Sequence, residues 1–133
     1  MNKLMQDIFL PPLSSEAFKE INPIVLAFIG DGVHTLYVRD RVVKTTNLLV
    51  NRCHNSSAKF CSAKSQAQKM DALEKILLED EQDIVRRARN AKLHHTAKNS
   101  DVETYKKATQ FEALVGYLYL KGNYQRLKQI LDY

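Results

Sequence analysis

Apolar residues recur along the chain at helical spacing, and no stretch of four or more strictly alternating residues indicates a β-strand. The apolar residues of the segment 23–44 cover more than one face, which predicts a central helix surrounded by others. The predicted fold class is therefore all-α, a helical bundle of about six or seven helices. The predicted helices span about 14–20, 23–44, 48–56, 63–78, 81–93, 101–121 and 124–131.

Local chemistry predicts where several of these helices begin and end. Asn22-Pro23 joins an N-cap side chain to a proline at the first helical position. Ser100 and Glu103 have the spacing of a capping box, and Ser56-Ser57 is predicted to be a linker or kink. Residues 1–13 are weakly patterned and are predicted to form a loosely attached N-terminal arm. Single residues predict three more N-caps and one C-terminal glycine: Ser62, Asp80, Asn123 and Gly122.

Two of the predicted helices each carry one carboxylate inside an apolar run. Asp31 lies in the run 26–33 and Glu112 in the run 111–116. An acid in such a run is costly to bury unless a cation meets it. The small residues beside both acids leave room for a metal ion and its waters, so we interpret the two acids as ligands of one shared magnesium ion. The alternative is that Asp31 pairs with an arginine in the core.

Glycines flank the first of these acids. Gly30 and Gly32 each cost a helix roughly 1 kcal/mol relative to alanine. Such a cost inside a predicted helix needs a reason, and the usual one is the close approach of another helix or of a ligand. The glycines therefore predict that something packs closely against the helix around Asp31.

The net charge of +5 is concentrated in one segment. Residues 86–107 contain seven basic and two acidic side chains, and the rest of the chain is balanced. A neutral body with one basic segment is typical of a surface that docks a polyanion. The alternative is a solvated helix face followed by a basic loop.

Other features limit the compartment and the kind of metal site. No apolar run approaches the roughly 20 residues that span a bilayer, and the first residues lack the apolar core of a signal peptide. Cys53 and Cys61 have no zinc-like spacing, and the adjacent His94 and His95 cannot both ligate one metal from one helix face. We therefore expect a cytoplasmic protein with reduced thiols, no zinc site and no membrane partner.

Residues 29–33 and 111–120 resemble the two catalytic segments of the ribonuclease III endonuclease domain. Residues 86–92, 98–102 and 104–105 are similar to the basic segment of the mini-ribonuclease III branch, which has no separate double-stranded-RNA-binding domain. The resemblance covers roughly residues 20–125. We therefore predict an N-terminal arm over 1–13 and a single ribonuclease III-like catalytic domain over 14–133.

This resemblance implies a magnesium-dependent endoribonuclease that works as a homodimer and cuts both strands of duplex RNA. For this branch it implies maturation of the large-subunit (23S) ribosomal RNA precursor at a base-paired stem, with a ribosomal protein or subunit as a further partner. Asp31 and Glu112 match the catalytic, metal-binding acids. The basic segment would grip the RNA, and the residues predicted to contact it are Arg86, Arg87, Arg89, Asn90, Lys92, Lys98, Asn99 and Lys106.

The sequence departs from the family pattern near both acids. Ala27 and Thr109 stand where full-length members carry further carboxylates, as expected for the mini branch. Gly32 and His34-Thr35 stand where we expect alanine and a Tyr-Glu pair. Fewer carboxylates should leave more water on the metal and weaken magnesium binding, which magnesium tolerates because it retains several waters.

Two other functions remain open from the residues alone. One is a non-catalytic RNA-binding module of the same fold, used in ribosome assembly, which would bind duplex RNA without cutting it. The other is a helix-turn-helix DNA-binding protein, in which the helix 81–93 would read base edges. The second leaves the two acids unexplained. Duplex RNA and duplex DNA, each incubated with and without magnesium, distinguish all three functions.

Overall fold

A computed structural model describes residues 7–45, 50–92 and 101–133, and these residues form helices joined by short connections. A 3-10 helix, Ser15–Lys19, precedes six α-helices, which confirms the predicted fold class. None of the described helices is long and apolar enough to cross a membrane. The α-helices are α1 (Pro23–Thr45), α2 (Val50–Cys61), α3 (Ala63–Leu73), α4 (Glu79–Asn90), α5 (Val102–Lys121) and α6 (Tyr124–Asp132).

The central helix of the bundle is α5, and α1, α3, α4 and α6 pack around it. Every residue of α5 from Ala108 to Leu118 is buried except Glu112, which is half-buried. The prediction that α1 is surrounded by other helices is wrong, because one of its faces is uncovered. Phe28 is 80% exposed and Leu36 is 64% exposed on that face.

The backbones of α1 and α5 touch where they cross, and a glycine on each helix makes this possible. A Cβ atom added to Gly30 would lie 1.7 Å from the carbonyl oxygen of Glu112, and one added to Gly116 would lie 1.9 Å from that of Leu26. The close approach predicted at Gly30 is therefore confirmed. No described atom lies within 4 Å of a Cβ added to Gly32, so another helix of the described chain does not supply the close approach predicted there, and the approach of a ligand stays a prediction.

Several predicted helix ends are confirmed. Asn22 Oδ1 accepts a hydrogen bond from the Ile24 N–H at 2.9 Å, at the start of α1. Ser62 caps α3, Asn123 caps α6, and Gly122 ends α5 with a left-handed φ of 81°. These signals are reliable because each side chain or glycine meets backbone groups that a helix end always leaves unpaired.

Other boundaries differ from the predictions. Helix α2 runs without a break through Ser56-Ser57, so the predicted linker is wrong. Helix α3 ends at Leu73 rather than near residue 78, and α4 begins at Glu79. The N-cap of α5 is Asp101, whose side chain accepts from the Thr104 N–H at 2.7 Å. The predicted cap Ser100 lies outside the described residues.

Asp80 is not the cap of α4, because its carboxylate is used in tertiary contacts. Asp80 accepts from the Tyr117 hydroxyl at 2.6 Å and from Lys121 at 3.0 Å, both on α5. The neighbouring Glu81 accepts from the Leu78 N–H at 2.9 Å and is 1% exposed. Both oxygens of Glu81 also accept from Arg126 of α6, at 2.8 Å each.

The described part of the N-terminal segment contacts the end of α5. The Leu13 N–H donates to the Leu120 carbonyl at 2.8 Å. The ring of Phe9 meets the ring of Tyr119 edge to face, with 5.8 Å between centroids. These two contacts connect residues 9–13 to the bundle.

Candidate active site

The crossing of α1 and α5 brings Asp31 and Glu112 together. Gly30 lies against the backbone of Glu112, so the neighbouring Asp31 is carried to the same point. The two carboxyl groups are close enough for Asp31 to act on the pKa of Glu112. Asp31 is exposed and Glu112 is half-buried, so only one of the two acids is set into the protein.

The surroundings of the two carboxyl groups disfavour the charged form of Glu112. Burial, then the neighbouring Asp31, raises the pKa of Glu112 to about 8. The ionic contacts among the described residues include neither acid, so the alternative of an arginine partner for Asp31 is not seen there.

This pair fits a divalent cation of the magnesium type. Carboxylate oxygens are the protein ligands that magnesium prefers, and one or two of them suffice because the ion retains several waters. The described residues contain no group of three or more His, Cys, Asp and Glu side chains that could hold a metal. Ala27 offers no oxygen ligand in its side chain, and the Thr109 hydroxyl donates to the Tyr105 carbonyl at 3.0 Å. Any ion held by this chain at the crossing would therefore rely on Asp31 and Glu112.

His34 lies one turn after Asp31 and packs between the helices behind the acids. Its Nδ1 atom is 3.2 Å from Gln66 Nε2 of α3, and its ring meets Phe111 edge to face at 4.9 Å. Burial lowers the pKa of His34 to about 4, although the charge of Asp31 opposes this. His34 is therefore neutral at neutral pH. Because Gln66 donates to Nδ1, the ring proton lies on Nε2.

Cys61, at the end of α2, adjoins the same site. Thr35, Asp31 and Glu112 are close enough to act on the pKa of its thiol. Burial, aided by these charges, raises the pKa of the Cys61 thiol, so the thiol is not activated as a nucleophile. Sequence reasoning missed Cys61 and Gln66 as neighbours of the acids, because no local pattern indicates which residue of a separate helix will reach them.

The predicted RNA-contacting residues of α4 do not all face solvent. Arg86, Arg89 and Asn90 are exposed, and Arg86 pairs with Asp83 one turn earlier. Arg87 instead points into the bundle. Its guanidinium donates to the carbonyls of the segment before α1, at 2.8 Å to residue 18 and 2.6 Å to residue 21.

The remaining predicted contacts lie beyond α4. Lys92 follows the helix and is exposed, and Lys106 on α5 is half-buried. Lys98 and Asn99 lie outside the described residues. The structure thus brings Arg86, Arg89, Asn90 and Lys92 together at one end of α4.

Comparison with known proteins agrees with this arrangement. The Ribonuclease III domain family matches residues 24–123. A mini-ribonuclease 3 of Thermoanaerobacter sp. is 47% identical over 90% of this chain and 84% of its own length. The mini-ribonuclease 3 of Staphylococcus aureus is 43% identical over 86% and 87% of the two chains. A crystal structure of a Fusobacterium nucleatum protein superposes with a TM-score of 0.79 at 25% identity, over 86% of this chain and 92% of the other.

The chain belongs to the ribonuclease III family and is an endoribonuclease of that type. Within the family it groups with the mini-ribonuclease 3 proteins, which it matches at 35–47% identity over most of its length. The class acts on double-stranded RNA and generally uses a divalent metal ion.

Proposed function

We propose that this chain is a magnesium-dependent endoribonuclease whose Asp31 and Glu112 are the catalytic and metal-binding residues. The observation that carries the proposal is the meeting of the two acids at the helix crossing, where neither forms an ion pair among the described residues. A folded chain that brings two acids together without a base favours the binding of a cation at that point. A bound magnesium ion would neutralise charge on a phosphate and lower the pKa of a water molecule.

The two acids have different parts in this proposal. Glu112 is half-buried and its pKa is raised, so its carboxyl group must lose a proton before it can bind a cation. Asp31 is exposed and faces the side from which a phosphate can approach. His34 contributes no proton, because it is neutral and its Nδ1 atom accepts from Gln66. The chain's own acids therefore bind and orient, and no side chain is needed as a general base.

Duplex RNA is the proposed substrate, gripped by the exposed end of α4. Arg86, Arg89, Asn90 and Lys92 are the contacts supported by exposure. Lys98, Asn99, Lys106 and Arg87 stay as predicted contacts, and Arg87 keeps further N–H donors after two of them bind the carbonyls of residues 18 and 21. A-form RNA displays phosphates and 2′-hydroxyls that such side chains can contact without reading sequence. In the cytoplasm, the proposed natural substrate is the 23S ribosomal RNA precursor at a base-paired stem, with a ribosomal protein or subunit as a further partner.

A homodimer is proposed through the uncovered face of α1. Val25, Phe28, Leu36 and Val43 share this face and are 54%, 80%, 64% and 49% exposed. Gly32 lies on the same face with open space above it. An apolar stripe of this length on a monomer's surface is typical of a protein interface. Sedimentation equilibrium tests the dimer, and a monomer at micromolar concentration would contradict it.

Substitution Asp31→Asn tests the nuclease proposal. We expect the wild type to cut a short RNA duplex only with magnesium and to leave the matching DNA duplex intact. The variant should lose at least about 1,000-fold in cleavage rate, because it lacks one of two charged ligands, which corresponds to roughly 4 kcal/mol. Its affinity for the duplex should persist. Full cleavage by the variant would refute the metal role, and binding without any wild-type cleavage would favour a non-catalytic module.

Replacing Arg86 and Arg89 together by alanine tests the RNA grip. We expect KM to rise and its salt dependence to flatten, because two phosphate contacts are removed. Replacing Lys19 and Lys44, which are exposed and paired with Glu16 and Asp40, provides the control with the same loss of charge. An equal effect of both double variants would show that net charge matters and the end of α4 does not.

A further inference from the structure

A cavity lined by His34 and Phe111, close in sequence to the two acids, has no part in the proposed cleavage. Its volume is about 470 Å³, within the range of small-molecule sites. It is enclosed by the C-terminal half of α1, by α3, and by single residues of α2, α5 and α6. The α1 residues that line it, such as His34 and Arg41, lie on the opposite side of the helix from Phe28 and Leu36. The cavity therefore stays open when the uncovered face of α1 is occupied.

The cavity combines an apolar wall with fixed positive charge. Val38, Val42 and Phe111 form part of the wall, and Arg41 and Lys69 are its charged lining residues. The described lining residues include no acid. Lys69 Nζ donates to the Leu131 carbonyl at 3.1 Å, and Arg41 pairs with Asp132, just outside the lining. These contacts hold both cations in place, and a fixed cation at an apolar wall favours a ligand with an anionic group and a flat apolar body.

Two buried polar side chains, Gln66 and His34, also line the cavity and are 4% and 8% exposed. Gln66 Nε2 donates to His34 Nδ1, which leaves the His34 Nε2–H as a donor and the Gln66 amide oxygen as an acceptor. Hydrogen bonds among the described residues use neither atom. The lining thus offers one donor and one acceptor, and a nucleobase carries both kinds of group on one edge.

We propose that this cavity is a binding site for a nucleoside monophosphate, with the base against the apolar wall and the phosphate at Arg41 and Lys69. An uncharged apolar molecule would leave Lys69 without an anionic partner, and a bare phosphate would leave the wall and the Gln66–His34 pair without contacts. The occupant would touch His34, one turn from Asp31, and Phe111, next to Glu112. Binding there and cation binding at the acids are therefore expected to influence each other reciprocally.

Titration of the full chain with AMP, CMP, GMP and UMP, followed by amide NMR in metal-free buffer, tests the site. We expect saturable shifts at residues around Val38, Val42 and Lys69 for at least one nucleotide. The parent nucleoside and inorganic phosphate at the same concentration should produce much smaller shifts there. Shifts confined to the end of α4, no shifts at all, or equal shifts with phosphate or nucleoside alone would overturn the proposal. RNA cleavage is measured separately, so its failure would not be confused with failure of this site.

Substitution Lys69→Met gives a second test, because it keeps the apolar stem and removes the charge. We expect nucleotide affinity to fall roughly tenfold or more, the usual cost of losing a charged hydrogen bond. The control Lys128→Met removes a lysine that pairs with Asp132 but does not line the cavity, and affinity should change less than about twofold. Equal losses in both variants would overturn the assignment. If Lys69→Met does not fold, the shift map of the wild type still decides the question.

Discussion

Glu112 and Glu81 are both acids set into the helical bundle, and their surroundings are opposite. Glu81 is 1% exposed and its two oxygens accept from Arg126 at 2.8 Å each, while Oε1 also accepts from the Leu78 N–H. Glu112 is half-buried and lies close to another acid, Asp31. The fold supplies Glu81 with a basic partner, and the described residues supply Glu112 with none.

The difference separates a structural carboxylate from one available to a ligand. The hydrogen bonds that Arg126 donates to Glu81 raise the pKa of Arg126, as expected for a base beside an acid. Burial and Asp31 raise the pKa of Glu112 to about 8, so its charged form is disfavoured until something positive arrives. A buried acid alone is therefore a poor indicator of a metal site. A buried acid whose nearest ionisable neighbour is another acid is a much better one.

Substitution Arg126→Leu should have the largest effect on stability. It leaves Glu81 buried without its partner, which typically costs 3–5 kcal/mol, and it also removes the donor to the Ile76 carbonyl. The free energy of unfolding, measured by urea denaturation, checks this. Arg41→Leu is the control, since it breaks an exposed pair with Asp132 and should cost no more than about 1 kcal/mol. Similar losses of unfolding free energy in both variants would mean that the buried Glu81–Arg126 pair contributes no more to stability than an exposed pair.

Substitution Glu112→Gln should act in the opposite direction and stabilise the metal-free protein. The folded-state pKa of about 8 lies above the ordinary value of 4.5, so the folded state keeps a proton that the unfolded state releases. Stability is therefore lost as pH rises from about 4.5 through 8. The penalty at pH 7 is on the order of 3 kcal/mol, which the variant avoids.

The measurement is the melting temperature between pH 5 and 9 in buffer with a chelator. We expect the wild type to lose several degrees across this window relative to Glu112→Gln. Glu16→Gln, at an exposed acid that pairs with Lys19, serves as the control and should change little. Parallel pH profiles for wild type and Glu112→Gln would show that the two acids do not interact as described.

Substitution Gly30→Ala should cost about 1–3 kcal/mol and also reduce cleavage, because its Cβ would overlap the Glu112 carbonyl and force the helices apart. Gly32→Ala is the matched control on the same helix. Its Cβ meets no described atom within 4 Å, so it should gain up to roughly 1 kcal/mol of helix stability. Thermal unfolding and duplex cleavage check both variants. Equal tolerance at the two glycines would contradict the close crossing of α1 and α5.

Features that depend on neighbouring residues were predictable from the sequence. Asn22, Ser62, Asn123 and Gly122 satisfy backbone groups within one turn, and their roles are confirmed. The linker predicted at Ser56-Ser57 is wrong, because tertiary packing can keep weak helix formers in a helical conformation. Sequence reasoning also took α1 for the central helix, since a face that stays uncovered in one chain has the same apolar pattern as a buried face.

The candidate site was predictable in part. The two acids were found because a carboxylate in an apolar run is unusual wherever it occurs. Two neighbours of the acids, Gln66 and Cys61, were not found, because they reach the site from other helices only after those helices have packed. Arg87 shows the same limit. Its place in a basic segment did not reveal that its guanidinium also donates to the backbone before α1.

The sequence by itself determined the helices of this protein, most of their ends, and the two positions at which an acid interrupts an apolar face. Hydrophobic period and capping chemistry act over a few residues, so they are visible without a fold. Only the tertiary structure decided that Gly30 and Gly116 let two helix backbones touch, that Asp31 and Glu112 meet there, and that Glu81 receives an arginine. Contacts between distant segments depend on how whole helices pack, and no local pattern encodes them.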